Sequence, residues 1–250
     1  MIKNLVSIII PYYKKKNFFS ETFYSAINQS YKKIEIIIIY DDKDTKDLKF
    51  IKKTIGKRKN VKLIINKENL GVGISRNSGI NISNGEYLAF LDSDDKWKRN
   101  KLEKQIKFMK QNNFVATHTS YYIINENNKI LSQRISKKKI DHSSLKLSCD
   151  IGLSSVVLKK VKNITYKFPN LKTKEDYVLW LNLTKKRINF FGINEKLVYW
   201  RKTDQSLSSN VSQKMKDGFV VYKKYLGYGN IKSIFYLLIL SLNFLKKSLL

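Results

Sequence analysis

The sequence Phe90-Leu91-Asp92-Ser93-Asp94-Asp95 closes an apolar, strand-like run that starts at Tyr87. Open α/β sheets bind ligands outside the carboxyl ends of their strands, so this sequence predicts carboxylates at a ligand-binding edge. Alternate residues of an extended segment point the same way, and Asp92 and Asp94 are therefore placed to share one hard cation suited to a diphosphate. A lone Asp-x-Asp is more often a solvated turn, so its meaning depends on the segments around it.

The segments around this motif alternate between two hydrophobic periods. Short apolar runs predict strands, and apolar residues spaced three or four apart predict helices. The predicted strands are 5–10, 34–39, 61–65 and 86–91, and the predicted helices are 18–29, 47–55, 74–82 and 98–111. Buried strands separated by helices indicate an α/β fold with a mostly parallel central sheet. From Phe114 onwards, short strands and polar turns predict a mixed α+β second half.

The composition limits the possible chemistry. The chain has 250 residues, 42% of them hydrophobic, which is enough for a substantial core. Its single cysteine, Cys149, excludes an intrachain disulfide and a cysteine-built zinc site. His118 and His142 are the only histidines, so carboxylates are expected to carry the chemistry. The amino terminus leads directly into a strand-like segment, and no signal peptide is expected there.

The net charge of +29 comes from 43 Lys and only six Arg against 20 acidic residues. Arg is preferred for bidentate recognition of bases and phosphates, so this composition argues against a specific nucleic-acid partner. The scattered Lys residues instead predict general attraction to nucleotide phosphates and to an anionic membrane surface.

Four polar clusters fall at or near the predicted strand ends. They are Pro11-Tyr12-Tyr13 after the first strand, Asp41-Asp42 after the second, the glycine-containing stretch 69–79, and Asp92-Ser93-Asp94-Asp95. Each cluster alone is typical of a turn or of packing. Together, at one edge of a parallel sheet, they favour a site for a nucleotide and a metal ion.

In combination and order these segments resemble the inverting glycosyltransferases of family 2, which have the GT-A fold. The matching residues are Val6-Ser7-Ile8-Ile9-Ile10-Pro11-Tyr12-Tyr13, Tyr40-Asp41-Asp42, Asn69-x-Gly71, Ser75-Arg76-Asn77-x-Gly79, and Gly85-Glu86-Tyr87 leading into Asp92-x-Asp94. Downstream, Lys174-Glu175-Asp176-Tyr177-x-Leu179-Trp180-Leu181 is similar to the family's Glu-Asp segment. The stretch from Arg201 through Ser206-Leu207-Ser208 resembles its closing Arg-x-His-x-x-Ser-x-Ser sequence.

The chain departs from the family pattern at two positions within this resemblance, which covers about residues 4–210. Lys43 stands where the family has the glycine of Asp-Asp-Gly-Ser-Thr-Asp. Thr203 stands where the closing stretch has histidine, so an imidazole contact to metal or phosphate is not expected there.

The resemblance implies a GT-A-like nucleotide-binding fold and a nucleotide-sugar donor, with UDP as the expected nucleotide. A nucleotide base favours an aromatic face and a carboxylate acceptor, which Tyr13 and Asp42 supply. The resemblance implies nucleotide contacts for both, and it adds Pro11, Arg76 and Asp92; Arg76 is equally consistent with a structural role. Asp94, with Asp92 as a metal or ribose ligand, is expected to hold Mg²⁺ or Mn²⁺ against the diphosphate.

Inverting transfer to a glycan or lipid-linked acceptor requires one base for the acceptor hydroxyl, and Asp176 is the candidate. It lies at the start of a predicted helix, 177–185, where the helix dipole favours its charged form. Without the other motifs, Glu175 and Asp176 would be taken as helix caps. Glu175 is expected on the acceptor side, as is Trp180, which the spacing also allows in the core.

Three other functions compete with this interpretation. Gly71-x-Gly73 is part of a dinucleotide fingerprint, but Arg76 occupies the position of the third glycine. A nucleotidyltransferase would usually carry a basic, Gly-rich loop after the first strand, which Pro11-Tyr12-Tyr13 does not provide. The main alternative is a non-catalytic basic protein that binds polyanions or membrane on a nucleotide-binding scaffold.

We expect three regions, namely a donor half at 1–113, an acceptor and catalytic half at 114–210, and a helical tail at 211–250. Residues 233–245 of the tail are apolar on almost every side, and basic residues flank them. At about 1.5 Å per residue this helix is shorter than the ~30 Å hydrocarbon core of a bilayer. The tail is expected to pack on the domain, pack on a second subunit or lie in the membrane interface, and we favour the interface. The expected location is therefore the cytoplasm, peripheral on the inner face of the cell membrane.

Overall fold

A single ten-stranded sheet connects the two halves of the sequence, within the residues that the computed structural model describes, 1–203 and 210–248. The strand order is β3-β2-β1-β4-β9-β6-β10-β5, with β7 beside β6 and β8 beside β10. The strands are β1 (Ile2–Tyr12), β2 (Ile34–Tyr40), β3 (Val61–Ile65), β4 (Gly85–Phe90), β5 (Lys96–Trp97), β6 (Ala116–Ile124), β7 (Ile130–Arg134), β8 (Lys139–Ile140), β9 (Val157–Lys159) and β10 (Phe190–Arg201).

Helices cover both faces of this sheet. They are α1 (Lys16–Ile27), α2 (Leu48–Ile55), α3 (Val72–Asn81), α4 (Lys101–Asn112), α5 (His142–Leu147), α6 (Glu175–Lys185), α7 (Val211–Val220) and α8 (Asn230–Ser248). A 3₁₀ turn spans Leu153–Ser155, and a π-helical turn at Val221–Tyr225 continues α7.

The first four strands are parallel, as the alternating apolar pattern predicts. β1 pairs with β2 on one side and with β4 on the other. Pro11 lies within β1 opposite Ile39, so the strand runs further than the predicted end at residue 10. Its missing N–H is tolerated because the pairing with β4 extends only to Ile9 opposite Phe90. The two strands therefore separate just where the predicted ligand edge begins.

The β-branched strands divide the core into two layers. Ile8 and Ile10 of β1 pack in a cluster with α1, α2 and α4, whereas Ile9 joins the opposite cluster, which includes Leu179 and Trp180 of α6. Side chains alternate across a strand, so one apolar run serves both layers. This arrangement confirms the predicted α/β fold with a mostly parallel central sheet. The second half adds antiparallel pairs, with β9 antiparallel to both β4 and β6.

The carboxyl-terminal segment packs against the second half of the domain. Asp217 of α7 accepts hydrogen bonds from the backbone N–H and the hydroxyl of Thr173, both at 2.8 Å. Leu237 and Leu240 of α8 join the core cluster of α6. The opposite face of α8 exposes a band of large apolar side chains, Ile231, Ile234, Phe235, Leu238, Leu242 and Leu245. Within the described residues, no helix combines the length and the apolar character needed to cross a bilayer.

Candidate active site

The strand order reverses around β1, and in open α/β sheets such a reversal marks a ligand-binding crevice at the carboxyl ends of the strands, here those of β1, β2 and β4. Tyr12 is buried there, stacked on Tyr40 with ring centroids 5.2 Å apart. Its hydroxyl donates to Asp47 Oδ2 at 2.7 Å, which fixes the exit of β1. Tyr13, the next residue, is exposed, with 42% of its surface accessible. The structure thus separates a packing tyrosine from one whose ring is available to a ligand.

The two aspartates at the end of β2 have different surroundings. The Asp41 carboxylate accepts hydrogen bonds from Asn66 Nδ2 and from the backbone N–H groups of Leu70 and Gly71, at 2.8, 2.9 and 3.0 Å. Asp41 therefore anchors the loop between β3 and α3. Asp42 Oδ1 accepts from the backbone N–H of Asp44 at 3.1 Å. This turn around Asp42 forms although Lys43 replaces the family's glycine.

Glycine is required at two positions where this loop enters α3. Gly71 has φ +87°, which side-chain-bearing residues rarely adopt. A Cβ on Gly73 would lie 2.6 Å from the carbonyl oxygen of Pro169. The close approach brings α3 against the segment that precedes α6. Backbone geometry thus requires both glycines at the start of α3.

The three aspartates after β4 also divide between support and ligand binding. Asp95 is buried and accepts from Ser154 Oγ at 2.6 Å and from the Arg201 backbone N–H at 2.8 Å. Burial raises the pKa of Asp95 well above its usual value, with repulsion from Asp94 and Asp92 adding to the effect. The side chains of Asp92 and Asp94 retain 31% and 17% of their exposure. The Asp-x-Asp pair therefore faces the crevice, whereas Asp95 holds the turn.

Arg76 connects the donor side to the start of α6. Its guanidinium donates to Asp92 Oδ1 and to Glu175 Oε1, each at 2.6 Å, and it is almost fully buried. Burial lowers the pKa of Arg76, but the two carboxylates outweigh this effect and raise it overall. Its ring-stacking partner is Phe168, 5.3 Å away. These contacts give Arg76 a structural position, and its predicted nucleotide contact remains a prediction.

Asp176 lies in the first turn of α6, beside the Arg76 pair. Its Oδ1 accepts from the backbone N–H of Tyr177 at 2.7 Å. Burial raises the pKa of Asp176, although Arg76 acts against the shift. Burial also raises the pKa of Glu175 to about 7, again opposed by Arg76. A partly desolvated carboxylate at a helix amino end has the properties expected of a general base.

Trp180 is fully buried against Phe90, Phe168 and Phe190, with centroid distances of 6.4, 6.4 and 5.1 Å. Trp180 therefore packs in the core, which is one of the two places that its spacing allows, and its acceptor-side role remains a prediction. Trp180 is four residues after Asp176 and so lies on the same face of α6, and this face is directed into the core at Trp180. Glu175, the other predicted acceptor-side residue, is buried against Arg76.

A basic residue that the sequence analysis did not single out lies at the Asp-x-Asp pair. Lys15 Nζ is 3.0 Å from Asp94 Oδ2 and donates to Thr203 Oγ1 at 3.0 Å. In the sequence, Lys15 is the middle residue of a run of three lysines, a pattern typical of a solvated loop. Only the folding of β10 beside the β4–β5 turn brings these groups together. The predicted closing motif beyond Thr203, including Ser206-Leu207-Ser208, lies outside the described residues.

Asp92 and Asp94 fit a divalent cation as half of a ligand set. Among residues 1–203 and 210–248, no cluster of three or more His, Cys, Asp or Glu side chains is arranged to hold a metal ion. Mg²⁺ and similar hard cations are often held by one or two carboxylates, with substrate phosphates and water completing the shell. Two partly exposed carboxylates at a strand end match that pattern, with the remaining ligands left to a diphosphate.

Known glycosyltransferases resemble this chain in sequence. The family model Glycosyl transferase family 2 matches residues 7–163. WfaP of Escherichia coli, a UDP-Glc:alpha-D-GlcNAc-diphosphoundecaprenol beta-1,3-glucosyltransferase, is 38% identical over 211 residues, 82% of this chain and 80% of WfaP. The chain therefore belongs to glycosyl transferase family 2, and it is a glycosyltransferase by family.

Two solved structures share the fold. S. aureus TarS residues 1–349, in complex with UDP-GlcNAc, superimposes with a TM-score of 0.72 at 18% identity, covering 93% of this chain and 70% of that one. The mannosyltransferase PcManGT of Pyrobaculum calidifontis, in complex with GDP-Man and Mn²⁺, gives a TM-score of 0.69 at 12% identity, covering 93% and 69%. The predicted GT-A fold is confirmed by these matches.

Replacing Arg76 by Met should lower the free energy of unfolding by about 3–5 kcal/mol, because Glu175 then loses its partner in a buried ion pair. Arg99→Met is the matched control, since Arg99 is exposed and its loss should change stability by less than about 0.5 kcal/mol. Urea denaturation of both variants measures the difference. Equal stability of the two variants would show that the Arg76 pairs do not contribute to folding.

Proposed function

We propose that this protein is an inverting glycosyltransferase that moves a sugar from a UDP-linked donor to a glycan or lipid-linked acceptor during surface-polysaccharide synthesis. One observation carries the proposal most directly. Arg76 joins Asp92 of the donor side to Glu175, the neighbour of the candidate base Asp176, by two bonds of 2.6 Å. This connection supports the proposal, because it links a proposed metal ligand to the neighbour of the proposed base.

The relatives and the sequence together support the donor and acceptor classes. WfaP is named as using UDP-Glc and a GlcNAc-diphosphoundecaprenol acceptor, and the TarS structure holds UDP-GlcNAc. In this chain, the exposed ring of Tyr13 would stack on the nucleotide base while Asp42 accepts from a base N–H. Pro11 ends the pairing of β1 with β4 and so opens the space for the nucleotide. We assign donor binding to residues 1–113 and acceptor binding to 114–210.

Asp92 and Asp94 would hold Mg²⁺ or Mn²⁺, as the bound Mn²⁺ of PcManGT supports for this fold. When bound, a divalent cation neutralises the negative charge that develops on a departing nucleoside diphosphate. The chain's own contribution is to present two carboxylates whose backbone is fixed. Asp92 N–H donates to Ser154 Oγ at 3.1 Å, and Arg201 Nε donates to the carbonyl of Asp94 at 2.8 Å.

Asp176 would act on the acceptor. As the acceptor oxygen forms its bond to the anomeric carbon, Asp176 takes the hydroxyl proton, and the bond from that carbon to the diphosphate oxygen breaks with its electron pair on the diphosphate. Attack opposite to the leaving group inverts the anomeric centre. Burial that raises the pKa of Asp176 also makes it a better proton acceptor once it is ionised.

The exposed face of α8 supports a peripheral position on an anionic membrane. We define the α8 apolar band as Ile231, Ile234, Phe235, Leu238, Leu242 and Leu245, which recur at helical spacing. Lys232 lies within this segment, and Lys246 and Lys247 follow the band. A helix with an apolar band and basic residues, in a protein of net charge +29, suits the interface of an anionic bilayer. A lipid-linked acceptor would be presented at the same surface.

Asp94→Ala should abolish the part of UDP binding that depends on Mn²⁺ and lower turnover by about a thousandfold or more, because a metal ligand is lost. Isothermal titration calorimetry with UDP, with and without Mn²⁺, measures the binding. Glu126→Gln is the control, since it removes one exposed carboxylate. If wild-type protein shows no metal-dependent UDP binding and responds only to salt, the polyanion-binding alternative is favoured instead.

Asp176→Asn is nearly isosteric and should retain folding and UDP binding, while transfer falls by about 10²–10⁴, the usual contribution of a positioned base. Product formation with a panel of UDP-sugars and lipid-linked acceptors measures transfer, and calorimetry checks the donor site. Transfer within a few-fold of wild type would show that Asp176 is not the base. Its role would then be the hydrogen bond that it accepts in the first turn of α6.

The membrane proposal is best tested by substitution, because deleting α8 would uncover the core around Leu237 and Leu240. A triple variant, Phe235→Gln, Leu238→Gln and Leu242→Gln, should lower binding to anionic vesicles by about tenfold or more, since buried apolar area drives interfacial binding. Vesicle flotation at high salt measures this component after Lys attraction is screened.

The matched control replaces Ile130 and Leu131 of β7 by Gln, because both are half exposed and far along the chain from α8. This variant should bind vesicles as wild type does. Equal flotation of the α8 variant and the control would show that the α8 apolar band is not the membrane contact.

A further inference from the structure

Lys15 joins three elements that meet beside the Asp-x-Asp pair. Its backbone starts α1, and its carbonyl accepts from the N–H groups of Phe18 and Phe19 at 3.1 and 3.0 Å. Its ammonium reaches Asp94 Oδ2 of the β4–β5 turn and Thr203 Oγ1 beyond β10, both at 3.0 Å. The side chain therefore extends from a fixed base into the cation half-site.

Thr203 is held in place independently of Lys15. Arg201, two residues earlier, donates through Nε to the carbonyl oxygen of Asp94 at 2.8 Å, and its guanidinium lies over the ring of Phe18 at 4.6 Å. The end of β10 is thus tied both to the turn that carries Asp94 and to the first turn of α1. Thr203 itself is buried, with 4% of its surface exposed. A hydroxyl in this fixed position orients the ammonium of Lys15 toward Asp94.

Among the residues that the structure describes, each carboxylate of the Asp-x-Asp pair forms an ion pair with one basic side chain. Arg76 holds Asp92 and is buried, so it cannot leave without unfolding its surroundings. Lys15 holds Asp94 through a flexible side chain that retains 19% of its exposure. An ammonium is a compact charge on a rotatable stem, whereas a guanidinium engaged by two carboxylates is fixed. The two partners therefore differ in their ability to give up their carboxylate.

We propose that Lys15 is a built-in counter-ion that occupies the cation position at Asp94 and must be displaced when a divalent cation binds there. The proposal rests on the proposed donor site, since it assigns Asp94 as a metal ligand. Thr203, which stands where the family has histidine, accepts the hydrogen bond that keeps Lys15 close to the site. Lys15 thus lowers the affinity of Asp94 for a cation and limits loading of metal before the donor arrives.

Lys15→Met keeps the apolar stem and removes the charge. The variant should bind Mn²⁺, in the absence of nucleotide, about tenfold more tightly than wild type, because a charge-assisted hydrogen bond no longer competes for Asp94. Electron paramagnetic resonance of free Mn²⁺ during a titration measures the affinity, with Asp94→Ala as the blank. Lys15→Gln repeats the measurement if the Met variant folds poorly.

Lys16→Met is the matched control, because it removes the same formal charge one residue away. Lys16 is half exposed, and its ammonium pairs with Asp47 at 3.7 Å. Its loss should therefore leave Mn²⁺ affinity within about twofold. If Lys15→Met and Lys16→Met bind Mn²⁺ equally, or if neither Lys15→Met nor wild type binds it, the proposal is wrong. A change in melting temperature without a change in Mn²⁺ affinity also overturns it, since Lys15 is then a structural ion pair only.

The calorimetric UDP titration separates the two levels of inference. If wild-type protein binds UDP with Mn²⁺ but Lys15→Met does not change the Mn²⁺ affinity, the proposed function stands and the counter-ion role of Lys15 is wrong. If wild-type protein binds no UDP either with or without Mn²⁺, the proposed donor site is wrong. Asp94 then has no basis as a metal ligand.

Discussion

The buried Arg76 guanidinium is the interaction on which the arrangement of the site depends. It bonds Asp92, at the end of β4, and Glu175, at the start of α6, although 99 positions separate Arg76 from Glu175. A buried charge is stable only when its partners satisfy it, so neither carboxylate is free to move away without a large cost. Because Asp176 follows Glu175 directly, the position of the candidate base is set from the donor side. Asp217 of α7 supports the same segment through Thr173, so the carboxyl-terminal helices contribute to the site from a distance.

Adjacent acidic residues at the strand ends divide the work between support and chemistry. Asp41 accepts from backbone N–H groups of the β3–α3 loop and Asp95 accepts from the backbone N–H of Arg201 in β10, whereas the side chain of Asp94 stays partly exposed beside Lys15. The physical reason is that a loop at a sheet edge leaves several N–H groups unpaired, and a carboxylate accepts more than one of them. In each motif, one carboxylate thus holds the backbone beside a neighbouring carboxylate that is proposed to bind ligand.

The strand pattern and the family resemblance were sufficient to predict the α/β layers, the parallel order of the first strands and the edge where the acidic residues gather. These features follow from local periodicity, because a strand buried on both faces is apolar throughout, as in 34–39. Contacts between distant segments were not predictable. Helical spacing allowed Trp180 both in the core and on the acceptor side, and only the structure shows its packing on Phe190. Lys15 could not be distinguished from Lys14 and Lys16 in sequence, since only the fold brings one of the three to Asp94.

The overall charge of this protein is positive, whereas the proposed donor site is rich in carboxylates. The net charge of +29 is spread over many exposed Lys side chains and attracts anionic donors and membranes from a distance that salt screens. The crevice itself is acidic, with Asp42, Asp92, Asp94 and Asp176 at one edge of the sheet. Arg76 and Lys15 pair with Asp92 and Asp94, so a diphosphate that arrives without a divalent cation meets both attractive and repulsive groups there. Under the proposed function, a divalent cation bound with the donor would add positive charge at this point and so favour a metal-bound donor over a polyanion that carries no such cation.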